Sequence, residues 1–413
     1  MGRNKKLKPC FPILIVLLLV STSFVGVSYK LEKFSPIYSS GNTLYVGGNG
    51  PGNYTKIQQA IDIANDGDTV FVYNGFYNEN IEIDKSIKVI GEDKNITFIN
   101  YVFEPPFTAF SLKAGNIVLK DFTVIGGDAG ICITSSQEQI ANVYISDCNL
   151  IDNEGNALYI RGDWVENISV NRCYFDNDFD QAIRILPWTQ RKISNISFSY
   201  CYIYEDAIDV DKVTGLQFKD CYFNISEINI CASSDNVQFY NCTMDSSPEI
   251  FLSIDHCSYI LIENCTITNS NWEAMRLYDC RRVVIRNCFI DNSEEEDADG
   301  IVLWSVNHAL IEGCIVENST VGIDLYQVRH DIIVRNCHIA NNEFGVSYYY
   351  WAVFNRIIKN NFINNEYQLF SHARFIFHFY KYNYWDDWNG TGAYNVWGIL
   401  NWDRNPVSEP YNI

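Results

Sequence analysis

Asp209 and Asp211, in Ile208-Asp209-Val210-Asp211, are two acids at alternate positions of a β-branched run. In a strand their side chains share one face, with Cα atoms about 6.6 Å apart. Carboxyls separated by roughly 6.5–9.5 Å suit inverting glycoside cleavage, one acting as acid and the other as base. Asp255 and the guanidinium groups of Arg184 and Arg276 recur at equivalent places in neighbouring segments. Beside a metal-bound acidic sugar, such an Arg could instead act as the base of an eliminative cleavage. Further along, Tyr278, Trp304, Tyr326 and Tyr349 recur at one place, with Asp324 beside them, and offer flat rings to a sugar. A third set, Asp291, Glu294, Glu296, Asp297 and Asp299, gathers the hard oxygen donors that Ca²⁺ takes, without EF-hand spacing. Each set has a plain structural alternative. Arg184 and Asp209 can form a surface ion pair, the aromatics can stack on one another, and the acidic stretch can be a solvated loop.

The elements that would position these side chains come from a repeat. The segments SDCNLIDN, NRCYFDND, SYCYIYED, KDCYFN, YNCTMDSS, ENCTITNS, RNCFIDNS, EGCIVENS and RNCHIANN place Cys148, Cys173, Cys201, Cys221, Cys242, Cys265, Cys288, Cys314 and Cys337 at spacings of 20 to 28 residues. Phe122 extends this column upstream and Asn361 extends it downstream. Short β-branched runs with period-2 alternation lie between these positions, and no long 3.6-residue stripe does. Such runs fit an all-β fold, a single-stranded right-handed parallel β-helix of about a dozen stacked coils. The residue before each cysteine is Asn, Asp or Gly in seven of the nine coils, Arg172 and Tyr200 being the exceptions. Those three types accept left-handed backbone angles, so the column is a turn.

A second alignment places apolar pairs, from Leu158/Ile160 to Ile323/Leu325, on the inner face. Alternation then sends Arg184/Leu186, Asp209/Asp211, Asn229/Cys231, Ser253/Asp255, Arg276/Tyr278, Val302/Trp304 and Asp324/Tyr326 outward. Terminal coils expose strand edges that need covers. An amphipathic helix over Thr55–Ala64, N-capped by Thr55, is the expected N-terminal cap, and the aromatic-rich segment 375–413 is the C-terminal one. The domain reading is a signal peptide or membrane anchor over 1–28, a linker over 29–42, the β-helix over 43–374 and the closing segment over 375–413.

Lys5, Lys6 and Lys8 precede the apolar run Ile13–Val20 and the small residues Gly26 and Ser28, a basic, apolar and small-residue order that directs the chain out of the cytoplasm. The run from Phe11 to Val27 is also at the lower limit for an uncleaved anchor. Acids outnumber bases 50 to 30, a net charge of −20 that repels phosphate and excludes nucleic acid as a partner. Fourteen cysteines in an extracytoplasmic chain suggest disulfides. Parallel inward Cβ vectors argue instead for a stack of free buried thiols, with Cys257–Cys280 as the one candidate bridge.

Leu44-Tyr45-Val46, Gly50-Pro51-Gly52-Asn53-Tyr54, Ile57-Gln58-Gln59-Ala60-Ile61, Asp66-Gly67-Asp68-Thr69-Val70 and Lys85-Ser86-Ile87-Lys88-Val89-Ile90-Gly91 together resemble the opening of the NosD-like, pectin-lyase-like parallel β-helix proteins. Tyr382-Asn383-Tyr384-Trp385-Asp386-Asp387-Trp388 and Asn401-Trp402-Asp403 resemble the closing segment of their archaeal secreted members. The resemblance spans roughly 43–413 and implies the fold. It implies little about activity, because the superfamily holds lyases, hydrolases, esterases and adhesins. The NosD name carries an association with copper delivery, but the six His and three Met are scattered, with His308 and His330 the nearest to a pair. Three function classes follow: a polysaccharide-binding or polysaccharide-processing protein of a microbial surface, a non-catalytic surface or adhesion module, and a copper-maturation accessory protein.

Overall fold

The structure, a computed structural model, describes residues 41–413 except 106, 136–137, 178–180, 190, 206, 226, 293–297, 329–330, 350–354, 372–377 and 397–400. The 1–28 targeting segment, nearly all of the 29–42 linker, Glu294, Glu296, Asp297 and His330 lie outside the described residues. Among the described residues, no helix is long and apolar enough to cross a membrane.

The chain winds through three parallel sheets of 15, 13 and 14 strands, here called the first, second and third. One coil shows the circuit. Ile140–Ser146 lies in the first sheet, Asn149–Ile151 in the third and Asn156–Gly162 in the second, and Val165–Asn171 returns to the first. Each strand pairs in parallel with its counterpart one coil away, as Ile145 does with Val170 and Leu150 with Phe175. Strands buried on their inner face by Val, Ile and Leu leave a continuous apolar column down the solenoid axis. Phe198, Phe218 and Phe239 stack within it at centroid spacings of 4.9 and 5.1 Å.

The corner between the first and third sheets is the predicted turn column. Asp147, Arg172, Tyr200, Asp220, Asn241, Asn264, Asn287, Gly313 and Asn336 all have φ between 51° and 64°. The cysteine that follows each is buried, and its thiol donates to the carbonyl two residues before it at 3.3–3.5 Å. Cysteine suits this position because it is small and apolar, and its weak donor adds a second bond to a carbonyl that already accepts the N–H of the preceding coil's turn residue. All thirteen described cysteines are unbridged, including Cys257 and Cys280, so the candidate bridge is corrected. Each of those two thiols instead donates to backbone carbonyls, at 3.1–3.6 Å.

The column's downstream member is Asn360, where the sequence alignment chose Asn361. Lys359 carries the left-handed φ of 57° and the next strand is Asn361–Ile363, so Asn360 occupies the cysteine position. From there the thiol gives way to an amide ladder. Asn360 Oδ1 accepts the Cys337 N–H at 2.9 Å, Asn383 Oδ1 accepts the Asn360 N–H at 3.0 Å, and Asp403 Oδ2 accepts the Asn383 N–H at 2.9 Å.

At the N-terminal end the helix is Ile57–Ile63, with Ile57, Ala60 and Ile61 buried as expected. Thr55 does not cap it. Lys56 holds the cap position without a side-chain bond, and the Glu79 carboxylate accepts the Ile57 and Gln58 N–H groups at 2.9 and 3.1 Å. A carboxylate brought from 22 residues away serves both the open donors and the helix dipole. In the closing segment, Trp385 is sandwiched between Phe362 and Tyr394 at 4.4 and 4.3 Å, and Tyr394–Asn395 pairs antiparallel with Trp402–Asp403.

Candidate functional site: the outer face of the second sheet

The second sheet turns outward most of the residues that sequence alternation places there, while Ser253 and Val302 are buried. Ile208–Asp211 alternates buried and half-buried, with Asp209 and Asp211 on the outer side. Register aligns Arg184 with Asp209, Asp209 with Asn229, Asn229 with Ser253, Ser253 with Arg276 and Val302 with Asp324. The parallel column aligns Asp211 with Cys231, Asp255 with Tyr278, Tyr278 with Trp304, Trp304 with Tyr326 and Tyr326 with Tyr349.

The aromatic row is continuous. Ring centroids lie 5.5 Å apart for Tyr278–Trp304, 4.5 Å for Trp304–Tyr326 and 5.6 Å for Tyr326–Tyr349, and His256 approaches Tyr278 edge-on at 5.3 Å. Trp304 is the most open of the four, with 36% of its surface accessible.

Carboxyls flank this row. Glu273 and Asp299 begin the strands Glu273–Tyr278 and Asp299–Trp304 and pair in register. Burial raises the Asp299 pKa to about 7, reinforced by the Asp324 charge and opposed by the Val321 N–H that Asp299 Oδ1 accepts at 3.0 Å. Burial likewise raises Asp324 to about 6, against the stabilising hydrogen bond from the Ser347 hydroxyl. Glu273 is pushed up by burial, with the Arg276 guanidinium opposing and the charges of Asp324 and Asp255 adding. Its Oε2 lies 3.5 Å from Arg276 Nη1. Burial also raises Asp255, whose Oδ1 has no hydrogen-bond partner among the described residues, against the pull of Arg276 and His256. Upstream, Glu227 is raised by burial and then by the Glu249 charge. Carboxyls whose environments set them to hold protons to different degrees are what acid–base chemistry uses.

Seven of the expected residues therefore fall on consecutive coils: Asp255, Arg276, Tyr278, Trp304, Asp324, Tyr326 and Tyr349. Arg184, Asp209 and Asp211 share the face but stand apart from them toward the N-terminal end, separated by the Asn229/Cys231 coil. Asp211 Oδ1 accepts the Cys231 thiol at 2.7 Å, and Arg184 Nη1 donates to Gln181 at 3.5 Å.

Of the calcium candidates, Glu294, Glu296 and Asp297 lie outside the described residues, which leaves Asp291 and Asp299 to be placed. Asp291 ends a third-sheet strand, where its Oδ1 accepts the Asn318 amide at 2.8 Å, while Asp299 starts a second-sheet strand. Among the described residues, no group of three or more His, Cys, Asp or Glu is placed to hold a metal ion.

Sequence periodicity does not single out Glu273 or Glu227, and it leaves Asp299 in an acidic loop. One signal was available. Asp299-Gly300-Ile301, Val321-Gly322-Ile323 and Phe344-Gly345-Val346 repeat a glycine ahead of the inner residue. A Cβ on Gly300 or Gly322 would stand 2.5 or 2.8 Å from the carbonyl oxygen of the next coil's glycine. Only glycine allows that approach, so the residue before it begins the strand.

Residues 226–380 match the family described as right handed beta helix region. Over 101 residues the chain is 34% identical to a cell surface glycoprotein of Methanothermus fervidus, a match covering 22% of this chain and 16% of that protein. Among solved structures, it superposes on the A-module of the Azotobacter vinelandii mannuronan C-5 epimerase AlgE6 with a TM-score of 0.51 at 14% identity, covering 79% of this chain and 93% of that one. Tailspike protein 3 of bacteriophage CBA120 gives a TM-score of 0.56 at 11% identity, covering 81% of this chain and 59% of that one. At such identities the likeness is one of fold. The repeat, the three-sheet winding and these matches agree: the chain is a right-handed parallel β-helix protein.

Proposed function

We propose that the chain is an extracytoplasmic protein that binds an extended polysaccharide along the second sheet and acts on it there. The observation that carries this reading is the unbroken row Tyr278–Trp304–Tyr326–Tyr349 beside proton-holding carboxyls. Strands about 4.8 Å apart repeat a ring on every coil, so a polymer can lie across several of them. With its pKa about 7, Asp299 keeps its proton on about half of the molecules at neutral pH and suits the general acid, while Asp324, at about 6, is the more ionised partner and suits the base. One β-helix neighbour, a mannuronan C-5 epimerase, acts on a polysaccharide, which is in keeping with a glycan partner. A panel of neutral and uronic polysaccharides, scored for retention and for depolymerisation, tests this. Trp304→Ala and Tyr326→Ala should each weaken retention roughly tenfold, the worth of an aromatic stacking contact. Unchanged retention in both variants removes the proposed face. Asp299→Asn and Asp324→Asn should keep retention and lose depolymerisation.

A second reading, a non-catalytic surface module, is favoured by the match to a cell surface glycoprotein. Wild-type retention with no depolymerisation of any polymer, in wild type and aspartate variants alike, would select it.

A further inference from the structure

We propose that the corner between the first and third sheets carries a second carbohydrate site, distinct from the second-sheet face and built for a short acidic oligosaccharide. This goes beyond the function proposed above and does not depend on it. A groove of about 560 Å³ opens at this corner, lined by Lys94, Asn149, Arg172, Tyr174, Tyr200 and Tyr202. The volume suits a small ligand rather than a polymer laid along the whole solenoid.

The first argument is conformational. Arg172 and Tyr200 are the two exceptions to Asn, Asp or Gly in the nine cysteine coils, and they are consecutive. Both are held at left-handed φ, 53° and 54°, where a bulky side chain is strained. Both line the groove. Two consecutive coils thus carry long side chains at left-handed corner positions, and both border the same groove.

The second argument is chemical. Tyr200 and Tyr202 leave 52% and 53% of their surfaces open, so flat ring faces meet the solvent. Arg172 is held in place by two 2.7 Å bonds to the Asp147 carboxylate and one of 2.6 Å to Asn171 Oδ1, yet its side chain remains 57% exposed. Lys94 makes no ion pair among the described residues. In a chain of net charge −20, an unpaired ammonium and an oriented guanidinium beside open tyrosines select an anion carried on a ring. Amide groups from Asn95 and Asn149 complete the lining with donors and acceptors for hydroxyls. A sugar acid meets all of these demands.

The experiment is titration calorimetry of the full chain with hexagalacturonate, with maltohexaose as the uncharged control. Tyr200→Asn should melt at or above the wild-type temperature, because Asn accepts the left-handed angle, and should still lose roughly tenfold in affinity for the acidic probe. Lys94→Gln should lose affinity and flatten its salt dependence. Trp304→Ala should leave this component unchanged. Wild-type affinity in both Tyr200→Asn and Lys94→Gln, or equal binding of the two probes, would overturn the proposal. Loss of all binding in Trp304→Ala would overturn it too, while leaving the second-sheet reading intact. Loss of all binding in Tyr200→Asn, with none in Trp304→Ala, would sustain the corner site and remove the second-sheet one.

Discussion

At the scale of single residues, Asp299 and Asp324 couple the site to folding. Both have pKa values raised, to about 7 and about 6, chiefly by burial. Above the ordinary aspartate value and below these, the native state keeps protons that the unfolded chain releases. Stability from this source is therefore fullest at low pH and is lost as pH rises through about 4 to 7. Asp299→Asn keeps an oxygen for the Val321 N–H and removes the titration. Melting curves from pH 4.5 to 7.5 should show the variant gaining on wild type by a few degrees as pH rises. A constant difference would contradict the buried-proton assignment. These residues also mark how far the sequence could be read. Tyr278, Trp304, Asp324 and Tyr326 were legible because strict alternation fixes a face once the inner pair is known. Glu273 was not, because it stands ahead of the alternating stretch. Asp299 was mistaken for part of an acidic loop because six acids in nine residues look continuous when the strand boundary inside them is unseen.

At the scale of elements, the left-handed corner does most of the specifying. Nine cysteines in register announced it, and each fills a small buried site whose thiol adds a weak bond to a backbone carbonyl. The alignment failed at its end because Asn360 and Asn361 are identical neighbours and only backbone conformation separates them. The difference matters energetically. Asn360 is fully buried, its Oδ1 serving the Cys337 N–H and its Nδ2 the Val334 carbonyl at 3.0 Å. Asn360→Ala strands both groups, and denaturant unfolding should report a loss of about 2–4 kcal/mol. Asn361→Ala at the next position should cost less than this, since its side chain bonds only Tyr411 of the closing segment. The helix cap was illegible for a related reason. Glu79 reaches Ile57 and Gln58 through tertiary packing, and no local pattern around Thr55 records that.

For the whole molecule, contacts run between adjacent coils, so stability is close to a sum of coil and interface terms. Cys242, Cys265 and Cys288 are spaced 23 residues apart, and each follows an Asn. Deleting residues 265–287 joins Asn264 to Cys288 and restores the corner sequence. The shortened chain should keep its circular-dichroism shape and a cooperative melt, while glycan retention falls because Tyr278 leaves the aromatic row. Loss of the β signal would show that the coils are not interchangeable units.

The column of unbridged sulfurs has a consequence for biogenesis. Outside the cytoplasm, where the proposed function places the chain, thiols meet oxidants and exchange partners within seconds to hours. Nine cysteines about one coil apart can pair wrongly in many ways while the chain is open, and none of those bonds occurs in the finished solenoid. Each coil that closes buries its sulfur, which takes the thiol out of reach of oxidants and exchange partners. Winding must therefore outrun oxidation. Refolding by dilution into an oxidised glutathione buffer should yield less native protein than refolding under reductant, whereas the folded chain should ignore either treatment. The cysteines act as a clock on assembly, set when the chain emerges and stopped one turn at a time.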